Sequence, residues 1–228
     1  MNDQHREQQN RKAWGKEIGK HRLLYPDERL VCFLAANYPN REENGQRNAL
    51  DIGFGSGRHL QLLMDYGFQA YGVDYAKETA AVARNVLKDN PLLRDLKVAD
   101  MKDRPFSGIQ FDVVIAWGVC FLRTPEETAC DLVHLRNSMK AGGRLIVNFR
   151  NKESWFCGKG KQIGPNTFLL DESAGPYQDM CYTFLEREAA HDILTAAGFE
   201  IDNCERLDLW KNHVSEHHSW WVFWARRT

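Results

Sequence analysis

Asn48-Ala49-Leu50-Asp51-Ile52-Gly53-Phe54-Gly55-Ser56-Gly57-Arg58-His59-Leu60-Gln61-Leu62-Leu63-Met64 decides the fold. A short apolar run ends in Asp51, three glycines alternate, and a run with helical periodicity follows. The segment reads as strand, glycine-rich turn, helix. Glycine lets the chain turn tightly and lets a ligand approach main-chain N–H groups without meeting a Cβ. The dinucleotide fingerprint G-x-G-x-x-G is the nearest rival, and its third glycine lets the helix pack closely on the strand. Counted from Gly53 and Gly55, that third position is Arg58. A carboxylate also stands two residues before the first glycine. It would repel a pyrophosphate and attract an amino-bearing, zwitterionic ligand.

Acid-x-Gly-x-Gly-x-Gly at Asp51, Gly53, Gly55 and Gly57 resembles the first motif of class I S-adenosylmethionine-dependent methyltransferases. The resemblance implies that this loop, with Phe54 and Arg58, wraps the methionine moiety and ribose of S-adenosyl-L-methionine. The rest of the chain, from about residue 25 to 228, is similar to the family in the order of its elements. The Lys140-Ala141-Gly142-Gly143 turn and Leu194-Thr195-Ala196-Ala197-Gly198-Phe199-Glu200 fall where that order requires them. Tyr25-Pro26-Asp27-Glu28 and Gly57-Arg58-His59 are similar to a bacterial small-molecule branch. The segment Ala116-Trp117-Gly118-Val119 lacks the (N/D)PP(Y/F/W) tetrapeptide of nucleic-acid amino-methylating enzymes.

Periodicity outward from the loop predicts alternating strands and helices. Strands are expected at 69–73, 96–99, 111–116 and 144–149, and late strands at 199–207 and 219–225. Helices are expected at 28–38, 76–88, 125–139 and 185–197. Asp27 is placed to cap the first, and Thr124-Pro125-Glu126-Glu127 has the pattern of a capping box with proline at the first helical position. The apolar run Phe111–Ala116 suits a central parallel strand buried on both faces. The expected fold is α/β: a Rossmann-like, doubly wound sheet of seven strands, mostly parallel, with an antiparallel C-terminal hairpin. A length of 228 residues suits one domain, 1–228. Within it, 1–45 reads as an N-terminal cap with helices. The Gly- and Pro-rich stretch 150–182 reads as an insertion forming a substrate lid, because Trp155, Phe156, Phe168 and Tyr177 favour packing. Residues 1–13 read as disordered or loosely helical.

In open α/β sheets, ligands bind beyond the carboxyl ends of the strands. Asp74, 17 positions past Gly57, stands where a carboxylate would accept from ribose hydroxyls, and Tyr75 offers a flat face to adenine. Asp100 is a candidate acceptor for the adenine amino group, with Met101 packing on the ring. Trp117 and Gly118 follow the fourth strand, where a wall between cofactor and acceptor belongs. Trp14, Tyr25, Phe121, Arg150 and His217 are candidate acceptor contacts. Arg150, with Lys152, Lys159 and Lys161 after it, suits a substrate carboxylate or phosphate. The sulfonium carries its own leaving group, so alignment of acceptor, methyl carbon and sulfur is the main task. An oxygen acceptor would also need a base, for which His21, His59, His213, His217 and His218 are candidates.

A net charge of −1 gives no general attraction to polyanions, so no nucleic-acid partner is expected. Six cysteines without a C-x-x-C pair exclude a zinc or disulfide framework and fit a reducing cytoplasm. His213, His217 and His218 lack a matched acidic or Cys partner, so no metal is expected. The polar N-terminus has no signal-peptide core, and no apolar run is long enough to span a bilayer, so no membrane partner is expected. The reading that results is an enzyme transferring methyl from S-adenosyl-L-methionine to a small polar metabolite or sugar, at N or O. The chain is expected to be a monomer or homodimer. A non-catalytic cofactor-binding sensor or scaffold is the alternative, and a nicotinamide-dependent oxidoreductase is disfavoured by Asp51 and Arg58.

Overall fold

A computed structural model describes residues 23–103 and 105–228. Strands β1 (Asn48–Ile52), β2 (Gln69–Asp74), β3 (Leu93–Val98), β4 (Phe111–Ala116) and β5 (Met139–Asn151) are parallel, in the order β3-β2-β1-β4-β5. Two late strands, β9 (Phe199–Lys211) and β10 (Glu216–Arg227), form a hairpin. Strand β10 lies antiparallel to β5 on the edge away from β4. The helices are α1 (Glu28–Asn37), α2 (Arg41–Asn44), α3 (Arg58–Asp65), α4 (Lys77–Leu87), α5 (Pro125–Ser138) and α6 (Arg187–Ala196). No helix among the described residues is long and apolar enough to cross a membrane.

Side chains along a strand alternate between faces, and the two faces carry separate cores. Val113 and Ile115 of β4, Ile146 of β5 and Val222 of β10 pack with Leu30 and Phe33 of α1 and Leu60 and Leu63 of α3. Val114, Ala116, Leu145, Val147 and Phe223 pack on the other side with Leu132 and Leu135 of α5 and Ala190 and Leu194 of α6. The caps form as their sequences require. Asp27 accepts from the Arg29 N–H, and Thr124 and Glu127 close a reciprocal capping box.

One expectation is extended and two are corrected. First, the seven expected strands form, mostly parallel with the antiparallel C-terminal hairpin, and three short strands extend the sheet to ten. The extra three, β6 (Lys161–Gly164), β7 (Thr167–Leu169) and β8 (Cys181–Leu185), come from the stretch read as irregular. They are three to five residues long and broken by glycine and proline, too short to show a period. Second, Lys140–Gly143 is a bulge inside β5, not a turn before it. Met139 already pairs with Phe111, Arg144 pairs with Val113, and Gly142 takes φ +74° between them. Third, the late strands run through the polar connector to Lys211 and from Glu216. There Trp210 stacks on His217 at 4.4 Å, and His217 contacts Asp208 at 2.6 Å.

Strand β8 pairs with Arg150 and Asn151 of β5. Strand β10 fills the other edge of β5 up to Arg150, so β8 takes the edge that β4 leaves at Ala116. The small β6–β7–β8 sheet therefore stands just beyond the carboxyl end of β4.

Gly72 in β2 lets the Phe54 ring settle against the sheet. A Cβ there would lie 2.7 Å from Phe54 Cδ1 and from Leu96 Cδ2. Gly72→Ala should lower unfolding free energy by about 1–3 kcal/mol, the usual effect of overpacking. Denaturant unfolding checks this, and unchanged stability would contradict the seating of Phe54.

Candidate cofactor and acceptor site

The loop after β1 has the backbone that its glycines permit. Gly53, Gly55 and Gly57 take φ of +69°, +51° and +86°, a region other residues enter only with strain. A Cβ at Gly53 would overlap the Val119 methyl, and one at Gly57 would lie 2.9 Å from Leu87. The loop is thus packed against the segment after β4 and against α4. Phe54 is buried beneath it in the core. Asp74 accepts from the Gly55 N–H through Oδ2 (2.9 Å) and from the Ala76 N–H through Oδ1 (2.9 Å). It both fixes the loop and begins the turn into α4, with Tyr75 next to it.

Asp51 is fully buried, and among the described residues neither carboxylate oxygen has a hydrogen-bond partner. Burial pushes its pKa well up, the Arg58 charge opposes this, and the Asp74 charge adds to it. A buried carboxylate without a partner is unfavourable by a few kcal/mol. It is kept where a cationic ligand supplies the partner. The amino group of S-adenosyl-L-methionine fits that requirement. Arg58 itself turns away and donates to the Tyr25 carbonyl (2.9 Å), while Ser56 donates to the Leu23 carbonyl (2.6 Å). Tyr25 thus meets the loop through its main chain, and its ring is 81% exposed.

The Asp100 carboxylate accepts from the Lys102 N–H (3.1 Å) and pairs with Arg123 (3.3 Å). Burial favours its neutral form, but Arg123 and the Lys102 contacts outweigh that and lower its pKa. Met101 lies in the short 3-10 turn that follows. Trp117 is partly buried against the α1 side of the sheet. Gly118 takes φ +79°, and its N–H donates to Asn148 Oδ1 (2.7 Å).

At the acceptor end, Arg150 is buried. Its guanidinium carbon lies 4.7–4.9 Å from the ring centres of Phe121, Phe156, Tyr182 and Trp220. Nη1 donates to Ser154 Oγ (3.1 Å), and Nε has no partner. Burial lowers its pKa, Tyr182 opposes the shift, and no carboxylate pairs with it among the described residues. Lys152 and Lys159, by contrast, find surface partners at Glu186 and over the Trp155 ring.

Strand alternation points His217 to the opposite face of β10 from Trp220. The structure therefore does not bring it to the Arg150 cluster. Its neighbour His218 is there instead, buried against Trp155, Phe156 and Trp220. His59 is buried with Nε2 unpartnered, and burial plus Arg58 push its pKa down to about 3, which leaves it a poor proton acceptor. Trp14 and His21 lie outside the described residues. Among the described residues, no three His, Cys, Asp or Glu side chains gather as a metal site would require. Arg123, Asn148, Ser154, Tyr182 and Trp220 were not singled out by the sequence. Only the density of aromatics in 155–184 and 220–224 hinted at the last two.

Asp51 supports a prediction with a definite sign. Its pKa is raised on folding, so the folded chain holds the proton that the unfolded chain loses above about pH 4. Asp51 therefore lowers stability increasingly as pH rises from there through the raised value. Asp51→Asn, which keeps the neutral shape, should raise the melting temperature of the ligand-free protein by a few degrees at neutral pH. The gain should vanish as pH falls toward about 4. A variant less stable at every pH would contradict the assignment.

Residues 49–143 match a family model described as a methyltransferase domain. The chain is 30% identical over 169 residues to the glycine/sarcosine N-methyltransferase of Parasynechococcus marenigrum (strain WH8102), covering 66% of this chain. It spans 57% of that relative's length. Among solved structures, an S-adenosylmethionine-dependent methyltransferase from Methanosarcina mazei superposes with TM-score 0.70 at 18% identity, over 85% of this chain and 96% of that one. The 1,6-didemethyltoxoflavin-N1-methyltransferase of Burkholderia thailandensis, with its substrate and S-adenosylhomocysteine bound, gives 0.72 at 17%, over 100% and 91%. At such identities the structural likeness speaks for the fold, and the glycine loop with its buried acid agrees with the matched domain. Residues 49–143 thus match a methyltransferase domain, and the chain is similar in fold to S-adenosyl-L-methionine-dependent methyltransferases.

Proposed function

We propose that this protein transfers a methyl group from S-adenosyl-L-methionine to a small polar acceptor that carries a carboxylate, at a nitrogen or oxygen atom. The observation that carries the acceptor class is Arg150, a buried guanidinium with no carboxylate partner. A buried cation without a counter-ion is costly by several kcal/mol, and the four surrounding rings offset only part of it. An entering carboxylate would complete the pair, and the planar guanidinium suits a bidentate contact. A sugar hydroxyl would leave the charge unmatched. Glycine and sarcosine, named for the relative from Parasynechococcus, both combine a carboxylate with an amine, which supports nitrogen as the acceptor atom.

The cofactor supplies an activated methyl and its own leaving group. The chain's residues then have positioning roles. Asp51 holds an ammonium, Asp74 and Asp100 are placed for ribose and adenine, and Arg150 orients the acceptor from the end of β5. Phe121, Tyr182 and Trp220 keep water from that end, which strengthens the Arg150 charge. Fixed alignment of the two reactants supplies much of the rate. An amine acceptor must arrive neutral. Of the described histidines, His218 packs on the same rings as Arg150. Burial lowers its pKa, with Glu216 opposing and the Lys211 and Arg150 charges adding. The β6–β8 sheet serves as the acceptor lid of a single methyltransferase domain. No disulfide joins any of the six cysteines, which supports the cytoplasm as the location.

Methyl-labelled S-adenosyl-L-methionine with glycine, sarcosine and other small amino acids tests the reading. Turnover is expected with carboxylate-bearing amines and not with their amides. Arg150→Met should raise the acceptor KM by ten-fold or more, roughly the 1.5–3 kcal/mol of a charged hydrogen bond, with the cofactor KM unchanged. An unchanged acceptor KM would sink the carboxylate assignment. Cofactor binding without turnover on any acceptor would favour the sensor reading.

A further inference from the structure

The segment between β4 and α5 touches every part of the site within seven residues. Gly118 is held by Asn148 of β5, and Val119 packs on Gly53 of the glycine loop. Phe121 lies over Arg150 and against Tyr182 of the lid, with ring centres 5.3 Å apart. Arg123 ends the segment. Its side chain grips Asp100, after β3, and Asp131 of α5 (2.7 Å). Its main-chain carbonyl accepts from Thr183 Oγ1 of β8 (2.6 Å). Thr183 in turn shares a hydrogen bond with Thr167 of β7 (2.9 Å), and both hydroxyls are buried.

The segment is also stiff. Residues 120–122 form a 3-10 turn closed by Leu122 N–H to Val119 O (3.0 Å) and Arg123 N–H to Cys120 O (3.3 Å). Thr128 of α5 donates to the Cys120 carbonyl (3.1 Å). Burial disfavours charge on Arg123, yet the Asp131 hydrogen bond and the Asp131, Asp100 and Glu127 charges outweigh this and hold it protonated. The acid nearest the expected adenine and the hydroxyl that ties down the lid are therefore contacts of one residue.

We propose that Arg123 is a positioning residue that couples occupancy of the adenine side to closure of the β7–β8 lid, so that cofactor binding tightens acceptor binding. Adenine on Asp100 fixes that carboxylate. The carboxylate fixes the Arg123 side chain and, through the 3-10 turn, the carbonyl that receives Thr183. The same turn holds Phe121 over Arg150. Coupling of this kind is reciprocal, so an acceptor would tighten the cofactor by the same factor. The inference rests on the assignment of Asp100 to the cofactor made above.

Hydrogen exchange of the full chain, read by mass spectrometry with and without saturating S-adenosylhomocysteine, tests it. The ligand should slow exchange of 167–169 and 181–185 by roughly ten-fold, within the usual range of such coupling. Thr183→Val leaves the Asp100–Arg123 pair in place. It should lose the protection of the lid and weaken the ligand by no more than the same ten-fold. Arg123→Met should weaken the ligand and lose the protection, and Arg123→Lys should restore part of both. Ligand binding to the wild type with unchanged lid exchange would overturn the coupling and leave the methyltransferase reading intact. Full lid protection in Thr183→Val would overturn it as well. Failure of the wild type to bind the ligand would overturn both.

Discussion

The Asp51 carboxylate, fully buried and accepting no hydrogen bond from the described residues, is the constraint around which the glycine loop is arranged. Folding by itself gains nothing from such a group, since its desolvation is unfavourable until a cation arrives. The surrounding structure holds it in place all the same. Its strand is central in the parallel sheet, the loop beyond it is fixed by Asp74, and Val119 closes over Gly53. A ligand with an ammonium group and hydroxyls satisfies these groups together. A pyrophosphate would meet a carboxylate instead of a positive helix terminus.

The proposed acceptor end mirrors this at opposite charge. Arg150 is next to last in β5 as Asp51 is in β1, and it too is buried without a counter-ion among the described residues. The two are brought to one edge because parallel strands put all their carboxyl ends there. One end thus asks for a cation and the other for an anion. A zwitterionic donor and a carboxylate-bearing acceptor meet both demands, and the segment 117–123 between them sets their spacing.

Parts of this were legible from the sequence because single residues demand them. Three alternating glycines read as a turn, and all three take positive φ. Thr124-Pro125-Glu126-Glu127 read as a helix start, and it makes both capping-box bonds. Other parts depend on residues far apart in the chain. Phe121, Phe156, Tyr182 and Trp220 surround Arg150 only once β8 and β10 lie on either side of β5, and no local pattern announces that. Arg123 carried no signal in the sequence, although its contacts reach Asp100, α5 and β8. Lys140–Gly143 read as a turn because glycine pairs mark turns more often than bulges, and the pairing of Met139 with Phe111 decides between them. His217 and His218 differ only by strand parity, which a connector of unknown register leaves open.

The most direct test is calorimetric titration of the full chain with S-adenosylhomocysteine in buffers of different ionisation enthalpy, with NADH as the control ligand. A neutral Asp51 that becomes charged against an ammonium must give up its proton. The account predicts binding of S-adenosylhomocysteine with proton release, a release lost in Asp51→Asn, and no binding of NADH. Binding of NADH alone, or of S-adenosylhomocysteine with the same proton balance in wild type and Asp51→Asn, would contradict it.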